Sequence, residues 1–180
     1  GKVEGIKSVA LWSRNAQYYE SAPWRGEIEK SGGGCLINQA IHVLDQILLL
    51  GGKVQWVTAS VASLGGLEIS VEDSAIVKIG FDGGCSGLLM ASNTNANNSS
   101  IELEVVTDTH IFRIKDFKLS MAKRTDEYNF SLICEDEILP GAKSYYGVGH
   151  TMLIQHFYEE LRNPGKGWYV DVSEGSRSIK

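Results

Sequence analysis

From residue 54 to residue 133 the chain is a run of short apolar alternations separated by turn residues, with no strand–helix repeat among them. Val54 to Ser63 is rich in Val, Thr and Trp, and Glu72 to Phe81 alternates through Ala75, Val77, Ile79 and Phe81. Asp82-Gly83 predicts a hairpin turn, because glycine tolerates the positive backbone angle such turns require. The return strand passes through Gly87, Leu88, Leu89 and Met90. Beyond an Asn/Ser-rich loop at residues 92 to 100, further strands are expected at Ile101 to Val106, His110 to Ile114, Lys118 to Met121 and Tyr128 to Ile133. With Ile6 to Ser13 at the start, about eight strands without alternating helices predict a largely antiparallel, open-faced sheet in an α+β domain. Helices cover one face of such a sheet, and the other must meet water, a second protomer or another domain. The apolar content of 54 to 63 and 72 to 81 predicts little water-exposed area there.

Two segments carry helical spacing. Ile37, Ala40, Ile41, Leu44, Ile47 and Leu48 recur every three or four residues, which predicts one helix over 35 to 50, stopped by Gly51-Gly52. Asn38, His42, Asp45 and Leu49 then form a second stripe on that helix. A later helix is expected from about Gly149 to Arg162, with Leu153, Phe157 and Leu161 four apart and Asn163-Pro164-Gly165 ending it. Residues 14 to 34 read as a long irregular stretch whose Tyr18, Tyr19 and Trp24 either pack it down or line a pocket. The last residues, from Val170, read as a helix start cut short.

Composition removes several function classes. An apolar fraction of 43% over 180 residues supports one real core, and the formal charge is -5 with scattered basic residues, so no nucleic-acid footprint is present. Cys35, Cys85 and Cys134 form no CxxC pair, so neither a disulfide scaffold nor a metal centre is expected. No run reaches the roughly 18 apolar residues of a membrane span, and no signal peptide is visible. The plain expectation is a cytoplasmic protein. Gly32-Gly33-Gly34 precedes a helix but lacks the upstream strand of a dinucleotide-binding loop. A nucleotide-binding domain is therefore not expected within this chain.

The candidate site centres on His42, which by position alone has three readings. It is an ordinary histidine on a helix surface, a metal ligand with Asp45 that lacks a third ligand nearby, or an acid/base or substrate-orienting group. The last reading draws on Asn38 and Asp45, whose side chains on the same stripe would fix an imidazole tautomer. Asn38 cannot titrate, so it acts by bonding a substrate hydroxyl or aligning His42. Gly33 and Gly34 let backbone approach a ligand closely, with unpaired helix N–H groups pointing outwards. Trp24-Arg25 suits sugar recognition, a ring for the apolar face of a pyranose and a guanidinium for a carboxylate or phosphate, and Arg14 suits similar work. Tyr145-Tyr146 and His150 stand just before the late helix as further substrate-binding candidates.

These pieces resemble, in order, a known domain. Gly32 to Asp45 resembles the motif in the C-terminal domain of the glucose-fructose oxidoreductase and inositol dehydrogenase (Gfo/Idh/MocA) family. That motif is a glycine pair or triple, then Asp or Asn, His four residues later and Asp three beyond. Gly5 to Trp12 looks like that domain's first strand, and Tyr18-Tyr19 with Trp24-Arg25-Gly26 like the stretch before its motif. Glu72-Asp73-Ser74-Ala75 through Phe81-Asp82-Gly83-Gly84 is similar to its central hairpin. Gly147-Val148-Gly149-His150 with Phe157 to Leu161 is similar to its late helix. The likeness covers nearly the whole chain.

The resemblance implies an oxidoreductase whose NAD or NADP sits mainly on an N-terminal Rossmann domain absent from residues 1 to 180. It implies a sugar, sugar-nucleotide or polyol substrate, and a homo-dimer or homo-tetramer through the open sheet face. In relatives the histidine matching His42 sits near the carbon being oxidised and assists removal of its hydroxyl proton. The position of Asn38 is frequently Asp in polyol dehydrogenases, so Asn38 departs from the commonest dyad. His42 is left as the base candidate, with Asp45 in support and the isolated domain inert. The alternative expectation is a non-catalytic sugar-binding or assembly module that keeps the fold.

Overall fold

The computed structural model describes residues 1–137, 140–141, 148–165 and 175–179. Among them are eight strands in one sheet: β1 (Val3–Leu11), β2 (Val54–Ala62), β3 (Ser74–Phe81), β4 (Ser86–Ser92), β5 (Glu102–Thr107), β6 (His110–Lys115), β7 (Lys118–Lys123) and β8 (Ser131–Glu135). They lie in the order β2-β3-β4-β1-β5-β6-β7-β8. Six of the neighbouring pairs are antiparallel hairpins or returns, and β1 pairs with β4 in parallel.

That parallel pair positions the candidate site. Parallel strands end at the same edge of a sheet, so the segments leaving β1 and β4 emerge side by side. They stay joined beyond the strands: Trp12 N donates to Ser92 O at 2.7 Å and Arg14 N to Asn93 O at 2.8 Å.

Among the described residues the sheet is accompanied by the α-helices α1 (Ala16–Glu20), α2 (Ile28–Ser31), α3 (Cys35–Asn38), α4 (Ile41–Gly51) and α5 (Gly149–Arg162). The spacing of Val43 and Ile47 turns one stripe of α4 onto the sheet, where both are buried with Ile6, Ala10, Ile79, Phe81 and Leu89. Full burial of side chains such as Ile47, Phe81 and Leu89 contributes about 1.5–3 kcal/mol each, which fixes α4 against β1 and β4. The fold is α+β, with a mixed, mostly antiparallel sheet and its core on the α4 side.

Three sequence expectations change. Residues 14 to 34 are not irregular: they hold α1, a 3₁₀ turn at Pro23–Gly26 and α2, with Asn15 capping α1 through its side chain. The helix expected over 35 to 50 is broken at Gln39 and Ala40, where Gln39 N and Ala40 N both donate to Cys35 O and α4 starts afresh. β2 is an edge strand and is exposed at all nine positions, where a well-covered strand was expected from its apolar residues. The late helix falls at Gly149–Arg162 as its spacing indicated, and none of its residues is buried. Among the described residues no single helix is long and apolar enough to cross a membrane.

Candidate functional site

The glycine triplet is held by an acid that its own sequence neighbourhood does not contain. Glu72, in the turn before β3, accepts from Gly34 N at 2.8 Å and from Leu36 N at 3.1 Å, and its carbonyl accepts from Cys35 N at 2.9 Å. A carboxylate at a helix N-terminus satisfies donors that the helix itself leaves unpaired. Those N–H groups were expected to point outwards at a ligand; instead they are consumed inside the fold. The approach is so close that a Cβ on Gly34 would lie 1.8 Å from Glu72 O, which is the physical reason for glycine there. A Cβ on Gly33 would meet side chains alone, Ile37 at 3.2 Å and the Glu72 carboxylate at 4.0 Å.

Asn38 closes the same loop from the other end. Its Nδ2 donates to Gly33 O and Gly34 O, each at 3.2 Å. Because the helix breaks after Asn38, the residue no longer shares a continuous helical face with His42, and the expected Asn38–His42 stripe does not form. Cys35, just inside this loop, is fully buried. Burial, with the nearby charges of Glu72 and Asp73, pushes its thiol up to about 12, so it stays neutral and is no nucleophile.

The break between α3 and α4 is pinned by a polar network. Gln39 Nε2 donates to Tyr18 Oη at 2.8 Å, and Asn93 Nδ2 donates to Gln39 Oε1 at 3.0 Å and to Tyr19 Oη at 3.2 Å. Asn93, the first residue beyond β4, is 3% exposed. Burial raises the Tyr19 phenol above its ordinary value despite the Asn93 hydrogen bond, so it too stays protonated. Sequence reading missed Glu72, Gln39 and Asn93 as site residues; Gln39 lies inside the motif, but its partners come from distant segments.

Around Tyr18 gather the residues expected to bind substrate. The Arg14 guanidinium lies 5.1 Å from the Tyr18 ring centroid and 5.0 Å from that of Trp12; the Arg25 guanidinium lies 4.4 Å from Tyr18 and 5.7 Å from Trp24. The Trp24 ring is 47% exposed. Arg14 and Arg25 thus both approach Tyr18, and Trp24 lies beside Arg25.

His42 stands in the first turn of α4, exposed, three residues beyond Gln39. Asp45 is not turned to it by any hydrogen bond: its carboxylate accepts from Ser178 Oγ, tying the end of the chain to α4. Asp45 therefore supports the helix rather than the imidazole. His150 begins α5 as the second of its residues. Tyr145 and Tyr146 lie outside the described residues. Among the described residues no group of three or more His, Cys, Asp or Glu is arranged to hold a metal ion.

Known proteins with this architecture agree on its class. A family model described as the GFO/IDH/MocA C-terminal domain matches residues 1–113. Compared by sequence, no curated protein matches the chain. Among solved structures, the WlbA dehydrogenase from Bordetella pertussis in complex with NADH and UDP-GlcNAcA is 23% identical, with a TM-score of 0.72 over 99% of this chain and 49% of its own. An oxidoreductase from Agrobacterium radiobacter in complex with NAD+, L-tartaric acid and magnesium is 14% identical, with a TM-score of 0.77 over 99% and 52%. A levoglucosan dehydrogenase in complex with NADH is 20% identical, with a TM-score of 0.76 over 99% and 54%. The chain spans about half the length of each of these structures.

Proposed function

This chain belongs to the GFO/IDH/MocA family as its C-terminal domain, and from that premise we propose that residues 1–180 supply the substrate site of an NAD(P)-dependent dehydrogenase acting on a sugar, sugar nucleotide or polyol. The carrying observation is the placement of His42: an exposed imidazole on a helix packed rigidly into the core, directly after a junction fixed by Gln39, Tyr18 and Asn93. Precise placement of a base on a rigid element is what proton abstraction demands.

The residues here do not fit a dinucleotide. The glycine-led start of α3 is filled by Glu72, whose carboxylate would repel a pyrophosphate. The cofactor is accordingly assigned to a Rossmann domain outside these residues, where NAD or NADP would take the hydride from the carbinol carbon. This domain's share of the work is to hold the sugar between Trp24, Arg25 and Arg14 and to receive the hydroxyl proton at His42. Asn38, spent on Gly33 and Gly34, orders the loop and takes no proton.

The open sheet face is assigned to a second copy, in a dimer or tetramer. It carries Trp56, Ile76, Leu88 and Met90, each more than 40% exposed, and Trp56 and Leu88 line a hollow of about 400 Å³ together with Lys7, Lys78 and Glu104. Large exposed apolar side chains among charged ones suit association with a second protein surface.

One observation favours a second reading, a sugar-binding or assembly module without chemistry: neither Asn38 nor Asp45 hydrogen-bonds His42. The test is nicotinamide reduction by the full-length protein with hexoses, uronic acids, inositols and nucleotide sugars. Turnover that falls in His42→Ala supports the dehydrogenase; sugar binding without turnover supports the module.

A further inference from the structure

We propose that Arg14 and Arg25 form a subsite for an oxyanion carried by the substrate, a carboxylate or phosphate on the sugar. The inference rests on the reading of this domain as the substrate half, and it narrows that substrate to an anionic one.

Two cations are gathered at one aromatic ring with no acid beside them. Arg113 pairs with Glu104 and Arg124 with Glu4, but neither Arg14 nor Arg25 has a carboxylate partner among the described residues. Both are half-buried, where a missing counterion is felt more strongly than in open water. A protein that holds such a pair together gains when an anion arrives.

Both guanidiniums are also aimed in advance. Arg25 Nη1 donates to Tyr18 O at 3.0 Å, and Arg14 Nη1 donates to Ser13 O at 2.9 Å and to Asn98 Oδ1 at 3.0 Å. One nitrogen of each fork is thus anchored, and the remaining nitrogens have no acceptor among the described residues. Arg14 Nε is buried with none, a donor whose full desolvation cost is unrecovered in the empty fold. Planar forks fixed in this way suit carboxylate and phosphate oxygens, which they bind by paired hydrogen bonds.

The subsite connects to the chemistry through one phenol. Tyr18, the ring that both guanidiniums approach, is held by Gln39 three residues ahead of His42. An oxyanion at the arginines and the reacting hydroxyl at His42 would therefore be gripped by parts of a single network. Trp24, beside Arg25, offers its exposed face to the ring that joins them.

The experiment is calorimetric binding to the full-length protein of glucose, glucuronate and UDP-glucose, repeated for Arg14→Gln, Arg25→Gln and Arg25→Lys. At least one anionic probe is expected to bind about tenfold or more tighter than glucose. That gain should disappear in either Gln variant, persist in part in Arg25→Lys, and weaken with added salt. A gain with glucuronate identifies a carboxylate, and a gain with UDP-glucose alone a phosphate. Glucose binding as tightly as both anions in the wild-type protein overturns the inference, whatever the variants do. An anion preference that survives both Gln variants overturns it as well. Anion binding without any nicotinamide reduction would leave the subsite standing and remove the dehydrogenase; turnover of neutral sugars without anion preference would do the reverse.

Discussion

The Glu72 carboxylate lies 2.8 Å from the backbone nitrogen of Gly34, and no side chain longer than hydrogen fits between the loop that carries one and the helix that begins at the other. An acid 38 residues away in sequence thereby replaces the ligand that a glycine-led helix start would otherwise invite. The candidate site moves from the glycines to the junction that follows them.

Gly34→Ala is expected to destabilise the fold by about 3 kcal/mol, because its Cβ would overlap Glu72 backbone, which cannot rotate away. Gly33→Ala should cost far less, since its nearest neighbour is the partly exposed Ile37 side chain rather than backbone. Urea unfolding of the two variants measures the contrast. Equal midpoints would contradict the packing described.

Glu104 gives a pH signature. Burial raises its carboxyl, but hydrogen bonds from Arg113 and Lys7 more than offset this and hold it below the ordinary carboxylate range. A depressed folded value contributes stability that is present above the unfolded value and lost as pH falls through the folded one. Glu104→Gln should therefore cost about 1–2 kcal/mol at neutral pH, with partly exposed partners keeping the figure modest. The difference from wild type should shrink on acidification, as followed by thermal unfolding across pH.

Thiol labelling of the native protein is expected to find Cys134 fast and Cys35 and Cys85 slow. Cys134 is exposed, whereas burial raises both other thiols and shields them. Unfolding should bring all three to similar rates. Fast native labelling of Cys35 would place the start of α3 outside the core.

Gln39→Ala removes the amide that joins Tyr18 to Asn93 and leaves two polar groups short of partners, a loss of about 1–3 kcal/mol in unfolding. In the full-length protein it should both lower kcat and raise KM, since it loosens the start of α4 and also Tyr18, the ring that Arg14 and Arg25 approach. Gln39→Glu, which keeps the acceptor for Asn93, should retain part of the activity.

The sheet and α5 were legible in the sequence because strand alternation and turn residues are local signals. The family resemblance rested on motifs that are equally local. Residues 35 to 50 show where such reading ends. Ile37 to Leu48 carry unbroken helical spacing, yet the helix breaks at Gln39 and Ala40, and the Gln39 side chain is held by Tyr18 and Asn93 from two other segments. Periodicity reports which face is apolar; it reports neither where the backbone ladder shifts nor which distant residues meet the side chain there. Arg14, Trp24 and Arg25 were singled out by residue type, but the approach of both arginines to Tyr18 depends on the turn made by α1. Asp45 was placed beside His42 by helical spacing, and Ser178, from the far end of the chain, claims it instead.

The most direct measurement is the rate of nicotinamide reduction by full-length wild-type protein and His42→Ala with the best substrate of the sugar panel, alongside cofactor affinity for both. The expected result is a fall in kcat of about 10²-fold or more, the scale of a lost general base, with cofactor binding unchanged. A His42→Ala protein that turns over at the wild-type rate would contradict the assignment of the reaction's base to this domain.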